Sequence, residues 1–216
     1  MKFIKYLVIA LVMNVNTYAS TGQSDYGAGE LGEYMRNNQQ QIAQEVYKIV
    51  VEITARLNEE CADKYAIPFN KVYIIEPIKF AKDNIHPIEG AWLMKCELSR
   101  CNKDRVYNFI FKAVKGSAPK VTNSLMGNTK TSPRLAKDTM LGVYSNTGAK
   151  MKAFCKTEDA LSSSFIVFDA KPLPSLSIDG SWEEIWSVKA CEHVIDIKIK
   201  FIPDGKGGTY YHVSDK

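Results

Sequence analysis

Residues 182–202 read WEEIWSVKACEHVIDIKIKFI. Two runs in which apolar and polar residues tend to alternate are separated by the short segment 191–193. The second run places an apolar residue at every other position: Ile195, Ile197, Ile199 and Phe201. Successive side chains of a strand point to opposite faces, so this alternation predicts a strand with one buried and one wet face. That pattern is typical of antiparallel sheets, and the two runs are therefore predicted to form a hairpin.

A similar hairpin is predicted 90 residues earlier in the chain. The segment IEGAW at 88–92 recurs as IDGSW at 178–182, and Cys101 matches Cys191. At the same offset, two sets of alternating apolar residues align: Tyr107, Phe109 and Phe111 correspond to Ile197, Ile199 and Phe201. Tryptophan and cysteine are rare, so a gap-free match indicates an internal repeat over about 71–114 and 162–213. Two unrelated hairpins with similar strand chemistry are the alternative.

The rest of the chain predicts helices and further strands. Apolar residues at helical spacing predict one long amphipathic helix from about Glu33 to Glu60, which ends before Pro68. Strands are predicted at 71–80, 91–99, 106–114, 162–169, 182–190, 194–202 and 209–213. A long loop is predicted at 115–131, and a short helix from Ser132 to about Tyr144. The predicted fold is α+β, with the N-terminal helix packed on antiparallel sheet, two repeated hairpin units and a short middle helix.

The N-terminus has the three parts of an export signal. Lys2 and Lys5 supply positive charge, residues 6–13 are apolar, and Ala19 completes a small-residue cleavage site. The apolar run is shorter than the roughly 20 residues that a membrane-spanning helix needs. We therefore expect a signal peptide at 1–19, a flexible mature N-terminus at 20–29 and a single globular domain at 30–216. The mature chain is expected to be periplasmic or secreted, without a membrane anchor.

Composition limits the partners and cofactors. The formal net charge is +4, and removal of Lys2 and Lys5 lowers it by two. A nucleic-acid partner would need a concentrated basic face, so none is expected. No cofactor is expected, because three histidines and the cysteine spacings do not match a structural zinc site. The oligomeric state does not follow from the sequence.

The five cysteines of an exported chain favour disulfides over metal ligands. A bond between Cys155 and Cys191 would tie the middle of the chain to the second hairpin. If the repeat is real, Cys101 takes the place of Cys191, and Cys61 is a candidate partner for it. Cys96 and Cys101 could pair only where the hairpin geometry allows it. The odd number leaves at least one cysteine free or paired between chains.

Three residues of the second hairpin, Trp182, Glu184 and Trp186, form the candidate ligand surface. Alternation places them on one face of a strand, where a carboxylate among apolar residues is unusual. Burial in the core is the alternative for the two tryptophans. A thiol nucleophile made by Cys191 and His193 is a further alternative, which the expected disulfide at Cys191 disfavours.

The C-terminal part of the chain resembles a known pattern. The runs WEEIWSVKAC at 182–191 and FIPDGKGGT at 201–209 are similar to the signature of an uncharacterised family of small exported, Legionella-like proteobacterial proteins. Residues 127–129, with Ser132, Pro133, Leu135 and residues 137–139, resemble the middle segment of the same family. The resemblance implies export. It supplies no catalytic residues, because the family has no assigned activity.

The sequence therefore favours an exported, non-enzymatic binding or interaction protein, such as a secreted effector or an envelope factor. Its expected partner is a protein or another macromolecule. No catalytic triad, metal spacing or nucleotide loop is recognisable, although active sites are assembled from residues scattered along a sequence. An exported hydrolase that gathers His86, His193 or Glu184 in a pocket is the alternative.

Overall fold

The computed structural model describes residues 29–59, 71–82, 85–100, 102–151, 155, 165–174 and 179–214. The helices in these ranges are α1 (Glu30–Asn37), α2 (Gln39–Arg56) and α3 (Pro133–Met151). The strands are β1 (Lys71–Lys79), β2 (Glu89–Arg100), β3 (Lys103–Val114), β4 (Ser117–Asn123), β5 (Ile166–Pro172), β6 (Trp182–Ala190), β7 (His193–Pro203) and β8 (Thr209–Ser214). The predicted signal peptide, most of the predicted flexible N-terminus, Cys61 and Cys101 lie outside the described residues.

The strands form two antiparallel sheets with the same connectivity. The first sheet has the order β1-β2-β3-β4, and the second sheet has the order β5-β6-β7-β8. The α+β fold class is confirmed, with more strand than helix in the described ranges. None of the helices in the described part of the chain is both long enough and apolar enough to cross a bilayer.

The two sheets share one pairing register at an offset of 90 residues. Trp92 lies opposite Phe111 in the first sheet, and Trp182 lies opposite Phe201 in the second. The rings of each pair are stacked, with centroids 5.2 Å apart for Trp92 and Phe111 and 4.9 Å apart for Trp182 and Phe201. Each sheet also follows a helix, since α2 precedes the first sheet and α3 precedes the second. The repeated element is therefore a helix followed by a four-stranded meander.

Each helix packs on one face of the sheet that follows it. The core of the first unit joins α1 and α2 to inward residues of β2 and β3: Trp92, Met94, Cys96, Leu98, Tyr107, Phe109 and Phe111. The core of the second unit joins α3 to the equivalent residues of β6 and β7: Trp186, Val188, Ile197, Ile199 and Phe201. Burial of one such side chain stabilises the fold by about 1.5–3 kcal/mol. The residues on the opposite face of β2 and β3 are not part of this core.

Several predicted elements differ from the observed ones; β5, for example, continues to Pro172 where the predicted strand ends at residue 169, because it pairs with β6 over that stretch. The single N-terminal helix is divided at Asn38, whose side-chain amide donates to the carbonyl of Tyr34 at 2.9 Å and caps α1. The predicted loop at 115–131 is wrong in its first part, because β4 forms there by pairing with β3. The middle helix continues to Met151 instead of ending near Tyr144. The helix division is thus local in origin, whereas β4 depends on its pairing with β3.

The disulfide between Cys155 and Cys191 is confirmed, with the two Cα atoms 6.1 Å apart. Cys191 lies in the two-residue turn between β6 and β7 with a φ of 53°, the positive φ that such a tight hairpin turn requires. Cys96 is a free, buried thiol, and desolvation raises its pKa to about 12. Its thiolate is therefore scarce at neutral pH.

Candidate functional site

Glu184 is a fully buried carboxylate in the second sheet. The indole N–H of Trp182 donates to its Oε1 atom at 3.0 Å, and the indole N–H of Trp186 donates to its Oε2 atom at 2.8 Å. The hydroxyl of Thr129 donates to Oε2 at 2.7 Å, and the backbone N–H of Lys130 donates to Oε1 at 2.8 Å. Each carboxylate oxygen thus accepts two hydrogen bonds, which satisfies a group whose burial is otherwise costly.

The candidate ligand surface therefore lies mostly inside the protein. Glu184 and Trp186 have no exposed area, and Trp182 is half-buried against Phe201. The carboxylate is occupied by donors of its own chain and has no face open to a ligand. Its observed role is to hold the segment that connects the two units.

That segment, residues 124–131, is here called the clasp because it contacts both sheets. On the first sheet, the Asn108 side-chain amide donates to the carbonyls of Leu125 at 2.6 Å and Gly127 at 3.0 Å. On the second sheet, Gly127 lies so close to β5 that an added Cβ would be 2.2 Å from the nitrogen of Ala170. The φ of Gly127 is +95°, so a side chain is disfavoured by strain as well as by space. The clasp also covers the outer edge of β5.

A groove of about 260 Å³ opens between the first sheet, the clasp and the start of α3. Its floor is the outer face, the face of the first sheet that points away from its core. The floor residues are Tyr73, Leu93, Lys95 and Asn108, and the walls include Thr129 and Pro133. The lining combines apolar side chains with a cation and hydrogen-bonding groups, a mixture that is common in ligand sites.

Laterally paired residues cross the outer face in three rows. The middle row is mostly apolar, and the rows on either side of it carry lysines. The rows consist of Lys71, Lys95 and Asn108; then Tyr73, Leu93, Ile110 and Thr122; then Glu76, Ala91, Lys112 and Lys120. Successive rows are two residues apart along the strands, so the two lysine rows are separated by about 13 Å.

The lysines of this face lie opposite one another on neighbouring strands. Lys71 lies opposite Lys95, and Lys112 lies opposite Lys120. Like charges directly opposite each other destabilise a sheet. The Lys95 ammonium group donates to the side-chain oxygen of Asn128, and within the described ranges Lys71 has no ion-pair partner. An anionic group placed beside Lys71 would therefore supply an opposite charge where the directly opposite residue is another lysine.

Among the described residues, β1 pairs with β2 alone, which makes it an edge strand of the first sheet. Three consecutive apolar residues of this strand are well exposed: Tyr73 at 48%, Ile74 at 56% and Ile75 at 41%. Edge strands are usually protected by charge, proline or bulges. β1 has Pro77 and two register shifts in its second half, whereas Lys71 to Ile74 pairs regularly with β2. In the described residues, the first half of β1 thus combines an exposed apolar run with one charged residue, Lys71, next to the groove.

The other candidate residues do not meet in one pocket. Nδ1 of His86 lies 3.1 Å from the hydroxyl of Tyr34, and the two rings pack edge to face in the first unit. Glu184 is enclosed by the second sheet and the clasp, and Cys191 is bonded to Cys155. Within the part of the chain that the structure describes, no three His, Cys, Asp or Glu side chains are placed to hold a metal ion.

A charged cluster connects the end of α2 to β3. The guanidinium of Arg105 makes a two-point contact with Glu59, with Nη2 2.8 Å from Oε1, and Lys103 donates to the same oxygen at 2.6 Å. The hydrogen bond from Arg105 is the main cause that lowers the pKa of Glu59 to about 2, although desolvation opposes it. Arg105 also lies over the ring of Phe168, 5.6 Å from its centroid, so this cluster reaches the second unit.

We expect the contribution of Glu59 to stability to depend on pH. A carboxyl whose pKa is lowered on folding stabilises the protein above its unfolded pKa of about 4.5 and loses that effect as the pH falls towards 2. Near neutral pH, Glu59→Gln is expected to lower the free energy of unfolding by about 2 kcal/mol. Urea unfolding at a series of pH values should show this difference shrinking between pH 4.5 and 2.

The control for this experiment is Glu45→Gln. Glu45 pairs with Lys48 on the surface of α2, where both side chains are exposed. Its removal is expected to change the free energy of unfolding by less than about 0.5 kcal/mol throughout the series. A pH-independent difference between wild type and Glu59→Gln would contradict the assigned role of the Arg105 contact.

Comparisons with protein-family models, curated proteins and solved structures found no match for this chain. The resemblance to small exported proteobacterial proteins therefore stays a prediction. The function has to follow from the groove and the edge of β1, whose geometry does not depend on any relative.

Proposed function

We propose that this chain is an exported, non-enzymatic binding protein whose macromolecular partner docks at the groove and at the free edge of β1. One observation carries the proposal: three consecutive exposed apolar residues, Tyr73 to Ile75, lie on an edge strand beside a lysine-bearing groove. Exposed apolar side chains grouped on one strand edge are a feature of interaction sites. A long exposed edge strand would otherwise be an aggregation hazard.

The disulfide supports the exported location. Bonds such as Cys155–Cys191 persist in oxidising compartments and are rare in the cytosol. The export signal expected at 1–19 agrees with this location. The proposal therefore places the protein in the periplasm or outside the cell.

The condition of the candidate nucleophiles and acids favours binding over catalysis. Cys191 is held in the disulfide, and the buried Cys96 has a pKa of about 12. Glu184 is occupied by four donors of its own chain, so it has no lone pair directed at a substrate. By contrast, the lysines and apolar side chains of the outer face are directed towards solvent or the groove.

Site-specific photo-crosslinking tests the proposed docking surface. A photoreactive phenylalanine analogue would replace Tyr73, and in a matched variant it would replace Tyr210, which is 69% exposed in the edge strand β8 of the second sheet. In the cells that produce the protein, we expect a discrete adduct from position 73 and none from position 210. Lys95→Glu in the same chain should abolish the adduct, because Lys95 lines the groove.

Equal adducts from both positions would indicate unspecific contact and would contradict the proposal. The absence of an adduct at position 73 would contradict it as well. Both variants change an exposed tyrosine on an edge strand, so a folding defect is expected in neither and a difference between them reports on docking.

A further inference from the structure

We infer that the docked partner is an extended segment of another protein that adds to β1 as a fifth strand, with an acidic residue beside Lys71 and apolar residues beside Tyr73 and Ile74. This inference deepens the proposed function and rests on it. It assigns a chemical class to the partner and a backbone-pairing mode to the site.

The backbone of β1 sets the length of the added strand. An edge strand presents unpaired N–H and C=O groups that another strand can use. The regular pairing of β1 with β2 runs from Lys71 to Ile74, and the first register shift follows between Ile74 and Glu76. Pro77 has no N–H to offer. The usable edge is therefore Lys71 to about Ile75, or roughly 17 Å of strand at 3.3–3.4 Å per residue.

The side chains of β1 set the sequence of the added strand. Residues opposite Lys71 and Tyr73 would lie on the outer face, and residues opposite Val72 and Ile74 would lie on the core face. The exposed rings and branched chains at 73 and 74 call for apolar neighbours on both faces. An acid two positions from an apolar residue on the outer face would meet Lys71 and Tyr73 together.

Charge is the reason for the acidic residue. Lys71 and Lys95 are directly opposite each other, and Lys71 has no ion-pair partner in the described ranges. A carboxylate on the neighbouring strand would be directly opposite Lys71 and would reduce the repulsion from Lys95. Opposite charges in such cross-strand positions stabilise a sheet. They also select among partners and speed their encounter.

A second copy of this chain meets these demands less well. A symmetric pair of β1 strands would be antiparallel and would be centred on one residue facing its own copy. Centring on Tyr73, Ile74 or Ile75 sets Lys71 opposite Ile75, Pro77 or Lys79. None of these residues is acidic, so self-pairing places no carboxylate opposite Lys71. A different protein with an acidic and apolar segment is the better fit.

Selection from a phage-displayed library of random short peptides tests the inference on the full mature chain. We expect the enriched peptides to carry an acid two positions from an apolar residue. Their binding should slow hydrogen exchange at the backbone amides of 71–75. Lys71→Glu should weaken binding about tenfold, and replacing the peptide acid by lysine should restore binding to that variant.

Lys120→Glu is the matched control, because it makes the same charge change on the far edge of the first sheet. An equal loss of binding in both variants would show unspecific attraction and overturn the inference. A different result would place the ligand on the groove floor. In that case the affinity of the peptides is unchanged by Lys71→Glu and lost in Leu93→Glu, and the peptides protect no amide of 71–75. That result overturns strand addition but leaves the proposed docking surface intact.

The oligomeric state provides a separate test of the occupant. Light scattering is expected to give the mass of one chain. A doubled mass that returns to one chain in Ile74→Lys would assign the edge to a second copy and overturn the inference. A library that yields no peptide protecting 71–75 would overturn it too.

Discussion

Replacing Glu184 by alanine is expected to lower the free energy of unfolding by about 3 to 5 kcal/mol. The change leaves the N–H groups of Trp182, Trp186 and Lys130 and the hydroxyl of Thr129 without their acceptor. A buried donor left without a partner costs about 1–3 kcal/mol, and only part of that cost can be relieved by water. Urea unfolding followed by tryptophan fluorescence would measure the change, because both indoles are direct partners.

Two further variants separate the hydrogen bonds from general effects of substitution. Glu184→Gln keeps the shape of the side chain but replaces one acceptor oxygen by a donor, so it should also destabilise the fold strongly. Glu183→Ala removes the adjacent carboxylate, which pairs with Lys198 at 2.8 Å on the opposite face and is partly exposed. Glu183→Ala is expected to cost less than about 1 kcal/mol. Similar losses at 183 and 184 would contradict the assigned role of Glu184.

The environment of Glu184 can be predicted from the sequence only in part. Alternation along β6 predicts that Glu184 shares a face with Trp182 and Trp186, and the structure has that face directed inward. The two remaining donors lie 54 and 55 positions earlier in the chain, in the clasp. No local pattern connects them to β6, so the anchoring role follows only from the folded structure.

The similarity of the two sheets is predictable from the sequence for two reasons. Apolar and polar residues alternate along the central strands, and the rare Trp and Cys residues recur at a constant spacing. β4 was not visible, because its sequence SAPKVTN has little apolar alternation and contains a proline. β4 is a strand because β3 supplies its hydrogen bonds on one side. Edge strands with one wet side need few apolar residues, so their pattern is intrinsically weaker.

The groove is not predictable from the sequence, for a similar physical reason. Its residues come from β1, β2, β3, the clasp and α3. Lys71 becomes a neighbour of Lys95 only through the pairing register of β1 with β2. The exposure of Tyr73 to Ile75 depends on β1 being the edge of its sheet, and an apolar run alone does not distinguish an edge strand from a central one.

The two units differ most where the second one is joined to the clasp. Met94 occupies in the first unit the register position that Glu184 occupies in the second. The indole N–H of Trp92 accordingly has no acceptor among the described residues, whereas that of Trp182 donates to Glu184. At this register position, an apolar residue of the first unit is replaced in the second by a carboxylate that also anchors a connecting segment.

Removing the disulfide by the double change Cys155→Ser and Cys191→Ser is expected to lower the free energy of unfolding by about 4 kcal/mol. The two cysteines are 36 positions apart, and closing a loop of that size restricts the unfolded chain by about this amount in the chain-entropy model. Chemical unfolding with and without reductant would measure the loss. Reduced wild type should lose at least as much stability as the unreduced double variant, because reductant breaks this bond and any other.

The first unit provides the internal comparison for that experiment. By the 90-residue offset, Cys101 is the sequence equivalent of Cys191, and Cys61 is its predicted partner. Non-reducing peptide mass spectrometry is expected to recover Cys155–Cys191 and Cys61–Cys101 peptides, with Cys96 as the remaining thiol. Cys96 should react with an alkylating agent only on unfolding, because it is buried and its pKa is about 12. If Cys61 or Cys101 alkylates readily in the native protein, the crosslink belongs to the second unit alone. Reductant should then destabilise wild type and leave the double variant unchanged.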